Sequence, residues 1–162
     1  MHVHAELLQR LYASFARRDA AAMAACYAPD AVFRDPIFAV AGPDVAAMWA
    51  MFCDRGGDLT LTWRDVVADD AAGAAHWEPR YTFSVTGRRV HNVIESRFTF
   101  RDGRIATHVD SFDLWRWSRM AIGPKAVLLG WTPFVQKAIR AEAGRSFAGW
   151  KARRAPRVAA AA

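Results

Sequence analysis

Cysteine is scarce in this chain, with only Cys26 and Cys53 among 162 residues. Neither belongs to a C-x-x-C pair, and both sit in apolar helical patterns, AAMAACYA and WAMFCD. A disulfide framework is thereby excluded, and the two read as buried thiols in a reducing compartment. Long apolar runs are also missing, the longest falling far short of the roughly 18 residues that span a bilayer. The start, MHVHAELLQRLY, has no basic patch followed by an apolar stretch, so no secretory leader is expected. His2 and His4 are expected in a disordered terminus. No glycine-rich phosphate loop is found, since Gly56-Gly57 lacks both the lysine and the strand context. Internal repeats and Gly/Ser/Pro-rich linkers are absent too. These absences point to a single cytoplasmic domain without a membrane partner.

What is present is globular. Hydrophobic residues make up 53% and charged residues 23%, which excludes a disordered chain. The formal charge of +6 lies wholly at the C-terminus. Residues 1–136 carry 15 basic and 15 acidic side chains, whereas Lys137, Arg140, Arg145, Lys151, Arg153, Arg154 and Arg157 face only Glu142 in the remainder. A basic tail without interleaved aromatics to stack bases reads as a solvated helix face, so nucleic acid is not expected as a partner.

Periodicity divides the chain. Leu7, Leu8, Leu11, Tyr12 and Phe15 fall at helical spacing. Asp19 caps a second short helix with Met23, Cys26 and Tyr27 on one face, ended by Pro29-Asp30. AVFRD (31–35) reads as a strand stopped by Pro36. Gly42-Pro43-Asp44 opens a third helix with Val45, Met48, Trp49 and Phe52 buried, and Gly56-Gly57 ends it. The pattern then turns to β-branched and aromatic alternation over 59–67, 76–85, 89–100 and 105–117, with hairpin chemistry at Thr86-Gly87-Arg88 and Arg101-Asp102-Gly103-Arg104. Helices followed by a meander of antiparallel strands make an α+β fold. Helical character returns after Ser118, where Val127, Leu128, Leu129, Trp131, Phe134, Val135, Ile139, Phe147 and Trp150 are expected to cover a neighbouring surface. The expected organisation is a domain over 1–117, a helical extension over 118–155 packed on the domain or on a partner subunit, and a disordered tail over 156–162.

The series YAPDAVFRDPIF-x-x-x-G-P-D, T-G-R, F-x-F-x-D-G-R-I and H-V-D-S-F-D resembles the SnoaL-like, ketosteroid-isomerase-like branch of the nuclear transport factor 2 superfamily over residues 5–117. The resemblance implies a cone: a strongly bent, antiparallel or mixed sheet around a pocket, with the first three helices at its mouth. It also implies a cofactor-independent small-molecule protein. Such folds host isomerases, cyclases, epoxide hydrolases, dehydratases and non-catalytic binding modules, so fold alone does not choose among them.

Strand parity supplies an independent reading. Phe98 inward carries Ser96, Ile94 and Asn92 with it, leaving Glu95 and His91 outward. Phe112 inward carries Asp110 and His108. Trp77, Tyr81 and Phe83 share a face opposite His76, Glu78 and Arg80. Adding helical aromatics gives a pocket lined by Tyr12, Phe15, Tyr27, Trp49, Phe52, Trp77, Tyr81, Asn92, Phe98 and Phe112, which suits a small hydrophobic molecule.

Three residues are candidates for catalysis. Asp35 occupies the position that the resemblance implies for a general base, and desolvation among aromatics would make it a stronger one. It equally suits a cap on the Pro36 turn. Asp110 and His108 lie two apart on one strand and can share a proton, matching the last-strand aspartate that the resemblance implies. Tyr27 or Tyr81 would donate to an enolate oxygen. Two departures matter. The isomerases' tyrosine would fall on Leu11, beside Tyr12, and their acidic donor near Ser96; no arginine stands where epoxide hydrolases would place one. His76, His91 and Glu95 read as an outer-face polar cluster at an interface, with no metal expected. The resulting expectation is acid/base proton transfer on a carbonyl-bearing cyclic substrate by a homodimer. The alternative is a ligand-binding or dimerisation module whose acid is absent or salt-bridged, as Asp110 would be with Arg34 or Arg97.

Overall fold

A computed structural model describes residues 1–155. The expected disordered tail over 156–162 lies outside the described residues. Helices α1 (Val3–Ala16) and α2 (Ala20–Ala24) lead into strands β1 (Tyr27–Arg34) and β2 (Ala39–Ala41), and helix α3 (Pro43–Arg55) follows. The main strands follow: β3 (Thr60–Ala68), β4 (Ala72–Phe83), β5 (Arg88–His91), β6 (Ile94–Arg101) and β7 (Arg104–Ser111). Helices α4 (Leu114–Ala121), α5 (Pro124–Leu129) and α6 (Pro133–Arg154) complete the chain.

The seven strands form one mixed, curved, unclosed sheet in the order β2-β1-β7-β6-β4-β3, with β5 also on β4. Only β1 and β7 run parallel, with Phe33 opposite His108. Across the β6–β7 hairpin, Phe98 faces His108 and Ser96 faces Asp110. Asp102 and Gly103 both have positive φ, 51° and 72°, the geometry of a two-residue turn that matches strand twist. On β6, Ile94, Ser96 and Phe98 are buried while Glu95, Arg97 and Thr99 are exposed. That alternation fixes which face of the sheet meets α1 and α3.

Several expectations are corrected. The second helix ends at Ala24, and Tyr27, Pro29 and Asp30 belong to β1. Proline is tolerated there because the β1–β7 register shifts between Tyr27 and Val32, so its missing N–H breaks no ladder bond. The 89–100 segment is two strands, since the Asn92 N–H donates to the Pro79 carbonyl and its Oδ1 accepts from the Val93 N–H. The last strand stops at Ser111. Asp113 then accepts from the Arg116 N–H and caps α4, which places Trp115 and Trp117 on a helix. The boundary drawn at residue 117 therefore falls within α4. At the other end His4 is not in a loose terminus: it lies in α1, buried, bonded to the Asp69 carbonyl and stacked on Phe100.

The C-terminal helices divide in behaviour. Phe147 and Trp150 of α6 join the main core, while Trp150 Nε1 donates to Asp54 and Lys151 binds Asp44 at 2.8 Å. Helix α4 buries Leu114, Trp117 and Ala121 beneath a second, smaller cluster. In contrast, Val127, Leu128, Leu129, Trp131 and Phe134 stay in solvent, contrary to the expected covering role. No helix among the described residues is long and apolar enough to cross a membrane.

Candidate active site

Asp35 follows β1 directly. Its Oδ1 accepts from the Ile37 and Phe38 N–H groups at 2.7 and 2.6 Å, closing the Pro36 turn. Both bonds fall on one oxygen, and Oδ2 has no hydrogen-bond partner among the described residues. Arg34, Asp35 and Pro36 at the end of β1 and Val109, Asp110, Ser111 and Phe112 at the end of the neighbouring β7 line a cleft of about 380 Å³. Burial pushes the Asp35 carboxyl up to about 7, against the lowering pull of the two backbone N–H groups, and the Asp110 charge raises it further. The turn cap and the desolvated acid are thus the same side chain.

Asp110 ends a buried chain of hydrogen bonds. Its Oδ1 lies 2.8 Å from His108 Nε2 and accepts a short bond from the Ser96 hydroxyl. Tyr12 and Trp77 donate to that hydroxyl at 3.0 and 2.9 Å. On the far side, Tyr27 Oη lies 2.8 Å from His108 Nδ1. With Nε2 facing a carboxylate, the proton belongs on Nε2, and the tyrosine then donates to Nδ1. His108 is 0% and Asp110 4% exposed. Burial pushes the Tyr12 and Tyr27 hydroxyls well above the usual tyrosine range, with the Asp110 charge adding to both. No arginine pairs with Asp110 among the described residues.

The expected pocket residues take three kinds of place. Tyr12, Phe15, Tyr27, Trp49, Trp77 and Phe98 are 5% exposed or less and fill the cone. They pack on one another and on His108, with Phe98 tilted at 4.3 Å from the imidazole and Phe15 edge-to-face at 5.1 Å from Trp49. Phe52 and Tyr81 are partly buried, and Phe112 reaches the cleft. Tyr81 Oη accepts from Trp117 Nε1 at 2.9 Å, so its own proton remains to be donated. Burial lifts this hydroxyl to about 12, against the lowering pull of the Trp117 hydrogen bond, with a smaller contribution from the Asp35 charge. Asn92 is buried, and its Oδ1 accepts from the Val93 N–H. Ser96 was legible as inward but not as the hub of the network; its one signal was a lone hydroxyl between Ile94 and Phe98.

On the outer face, His76 bridges Glu95 at 2.6 Å and Glu78 at 3.0 Å, and His91 also binds Glu78. The two histidines hold the Glu78 carboxyl down at about 2. Glu78 was missing from the expected cluster. No group able to hold a metal occurs among the described residues.

The raised Asp35 value carries a stability prediction. Between the ordinary value of 3.8 and about 7, the native state keeps a proton that the unfolded chain has released. The contribution of this group therefore falls as pH rises through that window. Asp35→Asn removes the dependence, so its melting temperature should gain on that of the parent from below the window to above it. Parallel melting curves across the window would show that the carboxyl is solvated instead.

The SnoaL-like domain family matches residues 8–108. No curated protein matches the sequence. Among solved structures, a nuclear transport factor 2-like protein of unknown function from Burkholderia pseudomallei is 21% identical, with a TM-score of 0.64 over 75% of this chain and 98% of that one. An LEH-like epoxide hydrolase of M. tuberculosis is 18% identical, with a TM-score of 0.62 over 78% and 94%. A protein of ketosteroid isomerase-like fold from Catenulispora acidiphila, in complex with trimethylamine, is 14% identical, with a TM-score of 0.65 over 79% and 98%. At these identities the likeness is one of fold.

Proposed function

The chain belongs to the SnoaL-like domain family, and from that premise we propose an enzyme that moves a proton on a hydrophobic, carbonyl-bearing cyclic substrate at the mouth of the cone. One observation carries the reading: Asp35, whose Oδ2 has no partner among the described residues, lines a cleft with Asp110, and burial raises its carboxyl to about 7. A base is most effective when its pKa lies near the working pH. Oδ2 takes the proton from the carbon next to the carbonyl, and the electron pair moves to the carbonyl oxygen. Tyr81 donates its hydroxyl proton as a hydrogen bond to that oxygen. The neutral Asp35 then returns the proton, at the same carbon or another. Isomerisation, aldol-type cyclisation and dehydration share this opening step. Asp110 lines the same cleft from β7, and His108, Ser96 and Tyr27 act on it as positioning residues. Epoxide opening is a poorer match, because Asp110 faces Ser96 across the hairpin rather than a cation.

The filled cone favours a second reading, a ligand-binding or dimerisation module without turnover, since six aromatics occupy its interior and the Asp35 cleft lies at the ends of β1 and β7. Proton exchange separates the two. In deuterated buffer, cyclic ketones should lose their α-proton NMR signals faster with protein than without, and the rate should climb as pH rises through about 7. Ketones that shift protein resonances without exchanging would establish the binding module.

A further inference from the structure

The corner joining α5 to α6 holds apolar side chains that the fold leaves in water. Leu128, Trp131 and Phe134 are 74%, 60% and 82% exposed, with Val127 and Leu129 beside them at 48% and 56%. Successive helical residues project about 100° apart, so no rotation of α5 would bury Val127, Leu128 and Leu129 together. Ala126 is the residue that faces inward. The corner is nonetheless a closed turn: Trp131 Nε1 donates to the Leu128 carbonyl, and the Thr132 hydroxyl and N–H both donate to that of Leu129. Single exposed apolar residues are ordinary, whereas five within eight positions mark a contact surface.

Charge identifies the occupant. From Leu114 to Ala141 the sequence has no acidic residue and five basic ones. Arg116 donates to the His91 carbonyl, Arg119 lies over the Trp115 ring, and Arg140 donates to the Pro36 carbonyl. Lys125 and Lys137 remain exposed on either side of the corner, without an ion-pair partner among the described residues. Farther along α6 the pattern is different, since Lys151 and Arg154 pair with Asp44 and Asp54 of α3.

Against the expectation of no membrane partner, which rested on the lack of a spanning segment, we propose that this corner is a peripheral contact for an anionic lipid surface. Leu128, Leu129, Trp131 and Phe134 enter the interfacial zone, and Lys125 and Lys137 lie at the level of the lipid phosphates. A second copy fits less well: a two-fold contact presents the same patch from both sides, bringing four lysines together with no acid from either corner. Anionic headgroups supply the missing counter-charge. The inference stands on the surface alone and does not depend on the chemistry proposed for the cleft.

Vesicle co-sedimentation of the full chain tests it. The protein should pellet with phosphatidylcholine vesicles containing phosphatidylglycerol, stay in solution with pure phosphatidylcholine, and be released by salt. The paired change Leu128→Asp and Phe134→Asp should weaken binding by about tenfold or more, with circular dichroism and melting unchanged because both side chains are exposed. Lys125→Ala with Lys137→Ala should weaken binding to anionic vesicles by a smaller factor. Equal sedimentation with both vesicle types, or with neither, would overturn the proposal. So would a dimer in sedimentation velocity that the two aspartates dissolve while vesicles leave the protein unbound, since the corner would then belong to a second copy.

Discussion

Asp35→Asn should slow ketone proton exchange by roughly 10²- to 10⁴-fold, the usual contribution of a positioned general base. The substitution is a clean one for this site. The amide keeps a carbonyl oxygen in the place of Oδ1, so the Ile37 and Phe38 N–H groups retain their acceptor and the Pro36 turn stays closed. Shape is conserved, and the cost of ionising a buried group disappears. Loss of exchange in a protein at least as stable as its parent above neutrality would therefore be a chemical loss. The residual rate should also lose its rise through about 7, because that rise is the deprotonation of Asp35. Unchanged exchange would move the base to Asp110, the other carboxylate on the cleft. Normal exchange in both Asp35→Asn and Asp110→Asn would rule out carboxylate base catalysis at this site.

Much of the frame was legible because strand parity is a strict, local rule. Once Phe98 is inward, Ser96 and Ile94 follow two by two, and β6 is buried on that pattern. Parity brought His108 and Asp110 to the same side of β7 for the same reason. The errors fall where one interaction overrides a period. A cap at Asp113 turned an alternating run, DSFDLWRW, into a helix, because L-W-R-W fits a period of two and a helical turn equally well over so few residues. A register shift let Pro29 and Asp30 enter β1, where turn chemistry reads as a stop. The exposed corner at α5–α6 was illegible for a deeper reason. Apolar spacing records which residues avoid water, not what covers them, and only the fold shows that nothing among the described residues does. The site shows the same division. Desolvation of Asp35 could be anticipated from its aromatic neighbours, but the link from Tyr12 on α1 to Ser96 on β6 spans 84 positions and leaves no local signature.

The largest stability effect should come from His108. Its ring sits at the centre of the sheet, facing Phe33 on one side and Phe98 on the other, and is wholly buried. His108→Ala removes the donor to Asp110 and the acceptor for Tyr27, and it opens a hole among Phe33, Trp49 and Phe98. Leaving a buried hydrogen-bonding group without its partner costs about 1–3 kcal/mol, more for a charged one, and the cavity adds to it, together enough to consume much of the stability of an ordinary domain. Urea titration reads the loss directly. Two companions apportion it. His108→Phe restores the volume but not the bonds, so whatever it fails to recover measures the unpaired Asp110 and Tyr27. Tyr27→Phe beside His108→Ala closes a double-mutant cycle, and a non-additive remainder reports the Tyr27–His108 bond itself. Stability and exchange then move together or apart for a stated reason. If His108→Phe folds yet exchanges slowly, the buried chain positions Asp110 for the reaction. If it exchanges at the parent rate, the chain is scaffold, and Asp35 at the rim carries the chemistry without it.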